Sequence, residues 1–297
     1  MSIRIGIDLG GTKIEAVALD DRGRLLGRGR VPTPQGTYAD TVDQLVALVK
    51  QLEERCGVCA SVGIGTPGAL SPATGLIKNA NSTNLIGHRL DADLEERLGR
   101  PVTIENDANC FALSEAVDGA GAGAAVVFGV IIGTGTGGGI VVNQRLLSGV
   151  NAIAGEWGHN PLPLPRDDER PGPYCYCGRR GCVESFLSGP GLKGDHALVE
   201  GYEREPAEIS ELALQGDVGA DACLRRYEER MARALANVIN ILDPDVIVLG
   251  GGLSRIERLY ENVPKLLPPH VFSDVIATRL LPPVHGDASG VRGAAWL

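Results

Sequence analysis

At 297 residues the chain is long enough for two domains with cores of their own, and its 41 glycines are too many for a helical bundle. A net charge of −9 without a basic run argues against a nucleic-acid groove, and no stretch approaches the 18 uninterrupted apolar residues of a membrane-crossing helix. The N-terminal MSIRIGIDLGG enters a strand without a charged leader, and the seven cysteines read as reduced thiols, so a cytoplasmic location is expected.

Residues 3–9, IRIGIDL, alternate branched apolar side chains with Gly6 and Asp8, then break at Gly10-Gly11-Thr12-Lys13 before residues 14–19 resume as a strand. This predicts a β-hairpin whose glycine-rich turn exposes backbone N–H groups to a phosphate, with Asp8 placed to hold Mg²⁺ through water. It is not a Walker A loop, because G-x4-G-K-[ST] is absent. Residues 40–55 carry apolar side chains at 42, 45, 46, 48, 49 and 52, the period of an amphipathic helix that Gly57 ends. Cys56 and Cys59 make a CxxC by spacing, but with no partner pair they read as ordinary thiols. Residues 61–64 form a strand that breaks into Gly65-Thr66-Pro67-Gly68, a sharp turn at a strand's C-terminal end, where open α/β sheets place ligands. The uncharged loop Asn79-Ala80-Asn81-Ser82-Thr83-Asn84 either suits sugar hydroxyls or is a turn without a ligand.

A short helix over 91–98 and a strand over 102–104 lead into Glu105-Asn106-Asp107, and residues 108–116 are helical. Asp107 therefore sits at a strand-to-helix junction, as a helix N-cap or as a general base for a sugar hydroxyl. Residues 124–132 are a buried strand that breaks into Gly133-Thr134-Gly135-Thr136-Gly137-Gly138-Gly139 and resumes at 140–142. That repeats the strand, glycine turn and strand of residues 3–19, and suggests two related α/β domains facing each other across a cleft. Further on, 208–215 and 219–241 have helical periods, Asp243-Pro244 stops the second, and 246–249 is a strand. It leads into Gly250-Gly251-Gly252-Leu253-Ser254, a triple glycine expected to open a helix and to let a flat ring or phosphate reach the backbone. The tail HGDASGVRGAAWL ends in a small-residue helix expected to pack back across the hinge.

Between these elements lies GEWGHNPLPLPRDDERPGPYCYCGRRGCVE, residues 155–184. His159, Cys175, Cys177 and Cys182 follow the spacing H-x15-C-x-C-x4-C, with Gly178 and Gly181 letting the backbone fold tightly between thiolates. Three thiolates and an imidazole make a closed tetrahedral set that suits structural zinc, whereas a catalytic zinc needs an open position. Two disulfides or inert thiols are the competing readings, and nothing marks the secretion that disulfides would require. Glu156 and Glu184 bracket the segment, which can hold both rigidly around a ligand rich in hydroxyls.

GEWGH followed by CYCGRRGCVE is similar to the signature of the ROK sugar kinases (repressors, open reading frames and kinases). DLGGTK resembles the first phosphate motif of the actin, Hsp70 and hexokinase superfamily, and ENDAN resembles the ROK catalytic segment. The resemblance runs the length of the chain. It implies an α/β fold of two actin-like (ribonuclease H-like) ATPase domains flanking a cleft: residues 1–117, with 286–297 packing back on them, and residues 118–285, which carry the zinc segment. It implies Asp107 as the base and Gly68, Asn81, Asn106, Glu156, His159 and Glu184 around the sugar, with one His159 nitrogen on zinc and the other toward the sugar. Phosphate and ATP contacts would come from Asp8, Gly10, Gly11, Thr12, Lys13, Gly133, Thr134, Gly135, Gly137, Gly250, Gly251, Gly252 and Leu253.

KNANSTNL, AGEWGHNPLP, CYCG and DPDVIVLGGGLS look most like the bacterial fructokinases of the family, which also take mannose. An N-acetylglucosamine kinase is expected to differ from that pattern most over residues 78–88. The resemblance thus implies MgATP-dependent phosphorylation of D-fructose at the 6-hydroxyl, with an N-acetylglucosamine kinase or glucokinase of the same family as the alternative. Expected partners are a hexose and ATP, with no nucleic acid or membrane, and the family implies a homodimer. A sugar-responsive ROK repressor and a non-catalytic actin-like ATPase are the readings outside hexose kinases. The first would carry an N-terminal helix-turn-helix where this sequence begins a strand, and the second leaves Glu156, Glu184 and the metal segment without purpose.

Overall fold

A computed structural model describes residues 2–78 and 83–297, so Asn81 and its neighbours 79, 80 and 82 lie outside the described residues. The chain divides into two units, one of residues 1–123, 139–154 and 284–297, the other of residues 124–138 and 155–283. In the first unit, strands β1 (Ile3–Leu9), β2 (Lys13–Asp20) and β3 (Leu25–Pro32) form an antiparallel meander. Helix α1 (Tyr38–Cys56) returns the chain to β4 (Ser61–Thr66), parallel to β1. A small hairpin, β5 (Ala69–Leu70) and β6 (Ile77–Lys78), precedes α2 (Leu90–Leu98). Next come β7 (Val102–Asn106), parallel to β4, and α3 (Asp107–Val117). The sheet order is β3-β2-β1-β4-β7.

Helix α1 ends as expected at Gly57, which closes it with a left-handed φ of 71°, and begins two residues earlier than its period suggested, behind a capping box of Thr37 and Asp40. Its Leu45, Leu48, Val49 and Leu52 pack with Ile5, Ile7 and Leu9 of β1, which all leave the same face of the sheet. The meander's third strand, β3, has half-exposed alternation and was not anticipated from the sequence.

The chain continues through β8 (Val126–Ile132), β9 (Thr136–Val142) and β10 (Arg145–Leu146). After the cysteine-rich segment come α4 (Glu184–Leu187), α5 (Gly189–Glu200), α6 (Pro206–Leu214) and α7 (Val218–Leu242). Strand β11 (Val246–Gly250), α8 (Arg258–Leu266) and β12 (Arg279–Leu281) follow. The second sheet has the order β10-β9-β8-β11-β12, with β11 parallel to both β8 and β12. Helix α7 buries Leu224, Tyr227, Met231, Leu235 and Ile239, as its period predicts. Two expectations need correction. Strand β9 begins at Thr136, so it includes the glycines read as turn, and the triple glycine opens a single 3-10 turn (Gly252–Arg255) rather than an α-helix. No helix among the described residues is long and apolar enough to cross a membrane.

The tail is helix α9 (Ser289–Trp296), and it packs on the opposite face of the first sheet, against β1, β4 and α3. Contact is backbone to backbone. A Cβ at Gly6 would fall onto the Val291 carbonyl oxygen, one at Gly63 onto that of Ala294, and one at Gly293 onto that of Cys110 in α3. The small residues of GVRGAAW are therefore a packing requirement that fixes α3, whose first residue is Asp107, against the sheet.

Candidate functional site

In the first unit the parallel pairing puts Asp8 opposite Gly65, and Gly65 opposite Glu105. Asp8 and the Glu105-Asn106-Asp107 segment thus share the C-terminal edge of three parallel strands, the edge at which open α/β sheets place ligands. Between them Gly65 contributes no side chain, and beneath it the Cys110 thiol is held neutral by burial and by Glu105, Asp107 and Asp8. Asn106, not Asp107, is the N-cap of α3: its Oδ1 accepts the Ala108 N–H at 2.9 Å, and its Nδ2 donates to the Gly68 carbonyl at 3.1 Å. Asp107 is exposed as the first helical residue, with Oδ1 2.8 Å from the Ala108 nitrogen. Behind it, Glu105 accepts from Asn109 Nδ2 and from Ser148 Oγ, each at 2.9 Å. This clamp was not read from the sequence, because Ser148 lies 43 residues away from Glu105.

Burial and the Asp107 charge push the Asp8 carboxyl up to about 6, against the opposing pull of Lys13. Two carboxylates that raise each other's cost in this way are suited to a cation. The turn beside Asp8 is tight: Gly10 N–H donates to the Lys13 carbonyl at 3.0 Å, and Thr33 Oγ1 donates to the Gly10 carbonyl at 2.6 Å. A Cβ at Gly10 would stand 2.9 Å from the Lys13 oxygen, so the turn admits only glycine there.

In the second unit the glycine turn after β8 is a junction. Gly133 N–H donates to the Gly135 carbonyl, and the Gly133 carbonyl accepts from Gly189 at the start of α5. Glu184 Oε2 accepts the Thr136 N–H at 3.0 Å, and Trp157 Nε1 donates to the Gly137 carbonyl at 2.9 Å. Hence one oxygen of Glu184 is committed to the backbone of the turn, while Glu156 is exposed. Thr134, Gly133, Gly252 and Leu253 line a cavity of about 1060 Å³ together with Lys193, Glu205, Ser210 and Arg255. Those last four come from α5, the N-cap and body of α6 and the turn after β11, and no motif in the sequence marks them. Gly251 has a φ of 82°, and a Cβ there would sit 2.5 Å from the Ile132 carbonyl, so it serves the close approach of β8 and the turn after β11.

The four ligand atoms of His159, Cys175, Cys177 and Cys182 lie within 4.8 Å of one another. His159 Nδ1 is 3.5 Å from Cys175 Sγ, and Cys177 Sγ is 3.6 Å from Cys182 Sγ. A tetrahedron with metal–sulfur bonds of ~2.3 Å has edges of ~3.7 Å, so these separations fit a zinc ion. They are far too long for a disulfide, whose sulfurs stand ~2.05 Å apart, and the disulfide reading falls. The Arg179 guanidinium, donating to Cys177 Sγ, pulls that thiol down to about 6, while burial pushes Cys182 up to about 12. Nε2, the ring nitrogen of His159 expected to face a sugar, lies 3.0 Å from the Tyr176 hydroxyl.

The loop between His159 and the cysteines is riveted to α7. Arg233 Nη2 donates to both oxygens of Glu169, at 2.6 and 2.9 Å, Arg230 Nε donates to Oε1 at 2.8 Å, and Arg233 Nη1 reaches the Leu164 carbonyl at 2.6 Å. Burial of Glu169 opposes its charge, but the two arginines prevail and hold its carboxyl down at about 2.

Residues 4–297 match the model of the ROK family. The chain belongs to the ROK family. It is 40% identical over 296 residues to an N-acetyl-D-glucosamine kinase of Photobacterium profundum and 41% identical over 296 residues to one of Salmonella paratyphi C, with 98% of each chain covered in both cases. Among solved structures it is similar to the ROK hexokinase from Thermus thermophilus, with a TM-score of 0.89 and 33% identity over 99% of this chain and 97% of that one. It also resembles a ROK glucokinase from Streptomyces griseus in complex with glucose and AMPPNP, with a TM-score of 0.76 and 32% identity over 99% of this chain and 98% of that one. The fold is the α/β, actin-like ATPase fold of ROK kinases, and the His159 and cysteine cluster fits the structural zinc site of the family.

Proposed function

We propose that this chain is an ATP-dependent hexose kinase whose substrate is N-acetylglucosamine, phosphorylated at the 6-hydroxyl. The observation that carries the reaction class is the placement of Asp8 and Asp107 on one strand edge, with the Asp107 charge acting on Asp8, beside the glycine turn Gly10 to Lys13. The sugar rests on the relatives: at 40% identity over 98% of both chains, the printed activity is that of an N-acetyl-D-glucosamine kinase. This displaces the fructose expectation drawn from KNANSTNL and CYCG, short motifs that weigh less than similarity along the whole chain. Much of KNANSTNL falls on residues 79–82, outside the described residues.

In this reading Asp107 takes the proton of the attacking hydroxyl, a contribution typically worth ~10²- to 10⁴-fold. Its acceptor bond from Ala108 fixes the carboxylate's rotation, and the Asn106–Gly68 bond fixes the turn that carries it. Asp107 is exposed at the first turn of α3, where a substrate hydroxyl can reach it. Asn106, Gly68, Glu156 and Glu184 are assigned to the sugar directly and His159 to its surroundings through Tyr176, and Gly10 to Lys13, Gly133 to Gly137 and Gly250 to Leu253 to ATP. Asp8 would hold Mg²⁺, which neutralises phosphate charge in a transition state that needs alignment more than covalent help. His159, Cys175, Cys177 and Cys182 would hold zinc as scaffolding.

The test is ADP release measured with N-acetylglucosamine, glucose, mannose and fructose. N-acetylglucosamine should show a kcat/KM at least tenfold above each of the others, on the order of the discrimination that a few polar contacts give. A preference for fructose would restore the first expectation, and no turnover on any sugar would end the kinase reading.

A further inference from the structure

Tyr176 is the residue between Cys175 and Cys177, and its side chain is 83% exposed, so it contributes little to a core. Its hydroxyl nevertheless lies 3.0 Å from His159 Nε2, with the two rings edge to face at 5.1 Å. The neighbouring Tyr174, by contrast, carries the Arg180 guanidinium 3.5 Å from its ring centre and makes no such bond. Tyr176 lines a cavity of about 680 Å³ that also presents Glu184, Thr134 and Ser188. Thr134 lines the neighbouring cavity of the glycine turns as well, so Tyr176 shares one lining with the carboxylate and the turn assigned above.

The direction of these hydrogen bonds follows from the ring. Nδ1 is the nitrogen that faces the thiolates, at 3.5 Å from Cys175 Sγ. A metal-bound Nδ1 carries no proton, so Nε2 must carry it and donate. The phenol oxygen is then the acceptor, and the phenol keeps its own O–H to give to something else. Among the described residues no acceptor is placed for that O–H.

We propose that Tyr176 is a specificity-determining residue: it delivers a phenolic O–H, oriented by His159, to the carbonyl oxygen of the 2-N-acyl group of the sugar. A carbonyl only accepts, so it complements a donor whose partner oxygen is already engaged. A sugar with a plain 2-hydroxyl has no acceptor at the same reach. The inference rests on the kinase reading above and adds to it the contact that distinguishes an N-acylated hexose from glucose.

The test uses the zinc-loaded full chain and Tyr176→Phe, which keeps the ring and removes only the hydroxyl. Metal analysis comes first and should give the same zinc stoichiometry in both. Calorimetric titration without nucleotide should then show N-acetylglucosamine bound about tenfold more weakly by the variant, the loss of one hydrogen bond. Glucose affinity and the KM for ATP should stay within twofold. Equal affinities of variant and parent for N-acetylglucosamine would overturn the proposal, as would an equal loss for both sugars. If the parent itself binds neither sugar, the N-acetylglucosamine reading fails instead, and the two failures are told apart by the parent's titration alone.

Discussion

Replacing Asp8 by asparagine is expected to stabilise the metal-free protein while destroying turnover. The folded protein raises this carboxyl from the ordinary 3.8 to about 6, through burial first and the Asp107 charge second. A raised carboxyl is a penalty on the folded state that is absent below the unfolded value and grows as pH rises through 4 to 6. At 1.36 kcal/mol per pH unit the full penalty is ~3 kcal/mol at pH 8 and about half that at pH 5. Asparagine cannot ionise, so Asp8→Asn should gain ~1 to 3 kcal/mol at pH 8, with the lower bound allowing for imperfect packing of the amide. Urea denaturation of zinc-loaded protein in magnesium-free buffer, at pH 8 and pH 5, measures this as the difference between variant and parent. Adding Mg²⁺ should close the gap by stabilising the parent alone. Asp107→Asn should give a smaller gain of the same sign, since it removes the second cause and leaves the first. An Asp8→Asn protein no more stable than its parent at pH 8 would refute the reasoning, because the carboxylate would then not be held at a cost.

Three further outcomes follow from the geometry. Asp107→Asn should bind sugar within a few fold of the parent while kcat falls by ~10²- to 10⁴-fold, read by ADP release and calorimetry; turnover like the parent's would remove Asp107 from the chemistry. Gly293→Ala places a methyl group on the Cys110 carbonyl and should cost ~3 kcal/mol or more, seen as a Tm lower by about 10 °C. A Tm unchanged within 2 °C would mean that α9 is not seated as described. Arg233→Met leaves Glu169 half paired and buried, at ~3 to 5 kcal/mol by urea denaturation at pH 7. That stabilisation belongs to a lowered carboxyl, so it is present above pH ~4.5 and fades as pH falls toward 2; a difference between variant and parent that stays constant across that range would count against it.

Local signals carried the fold well where they were self-contained. The alternation of IRIGIDL, the period of α1 and α7 and the spacing of His159 with three cysteines each depend on nearby residues, and each appears where it was expected. What could not be read were the partners that only the folded chain supplies. Ser148 on Glu105, Tyr176 on His159 and the Arg230–Arg233 grip on Glu169 join residues 17 to 64 positions apart, and none is a motif. Strand β3 escaped because its alternation is half exposed, and α5 because three of its first six residues are glycine. The triple glycine misled for a physical reason: Gly251 answers the Ile132 carbonyl, so the turn is spent on packing before a helix can start.

Under the proposed function Glu184 would link the metal cluster to the turn assigned to nucleotide, and metal removal is then expected to be felt beyond the proposed sugar contacts. Cys182 belongs to the cluster that fits zinc, Ser185 and Phe186 begin their helical bonds on Cys182 and Val183, and Glu184 stands between them with Oε2 on the Thr136 N–H. The same short helix runs into Ser188 and Gly189, whose N–H holds the Gly133 carbonyl at 2.7 Å. Two of the bonds that shape the glycine turn thus originate within seven residues of a thiolate ligand. Releasing the metal removes the restraint on Cys182 and should loosen both. Chelated protein, or Cys177→Ser, is expected to lose stoichiometric zinc and to bind a non-hydrolysable ATP analogue at least threefold more weakly by fluorescence titration, with the nucleotide alone and no sugar present. Zinc restored to the chelated protein should recover the affinity. Nucleotide binding indifferent to zinc would show that the turn is held by Trp157 and the strand pairing alone, and that Glu184 answers only to the sugar.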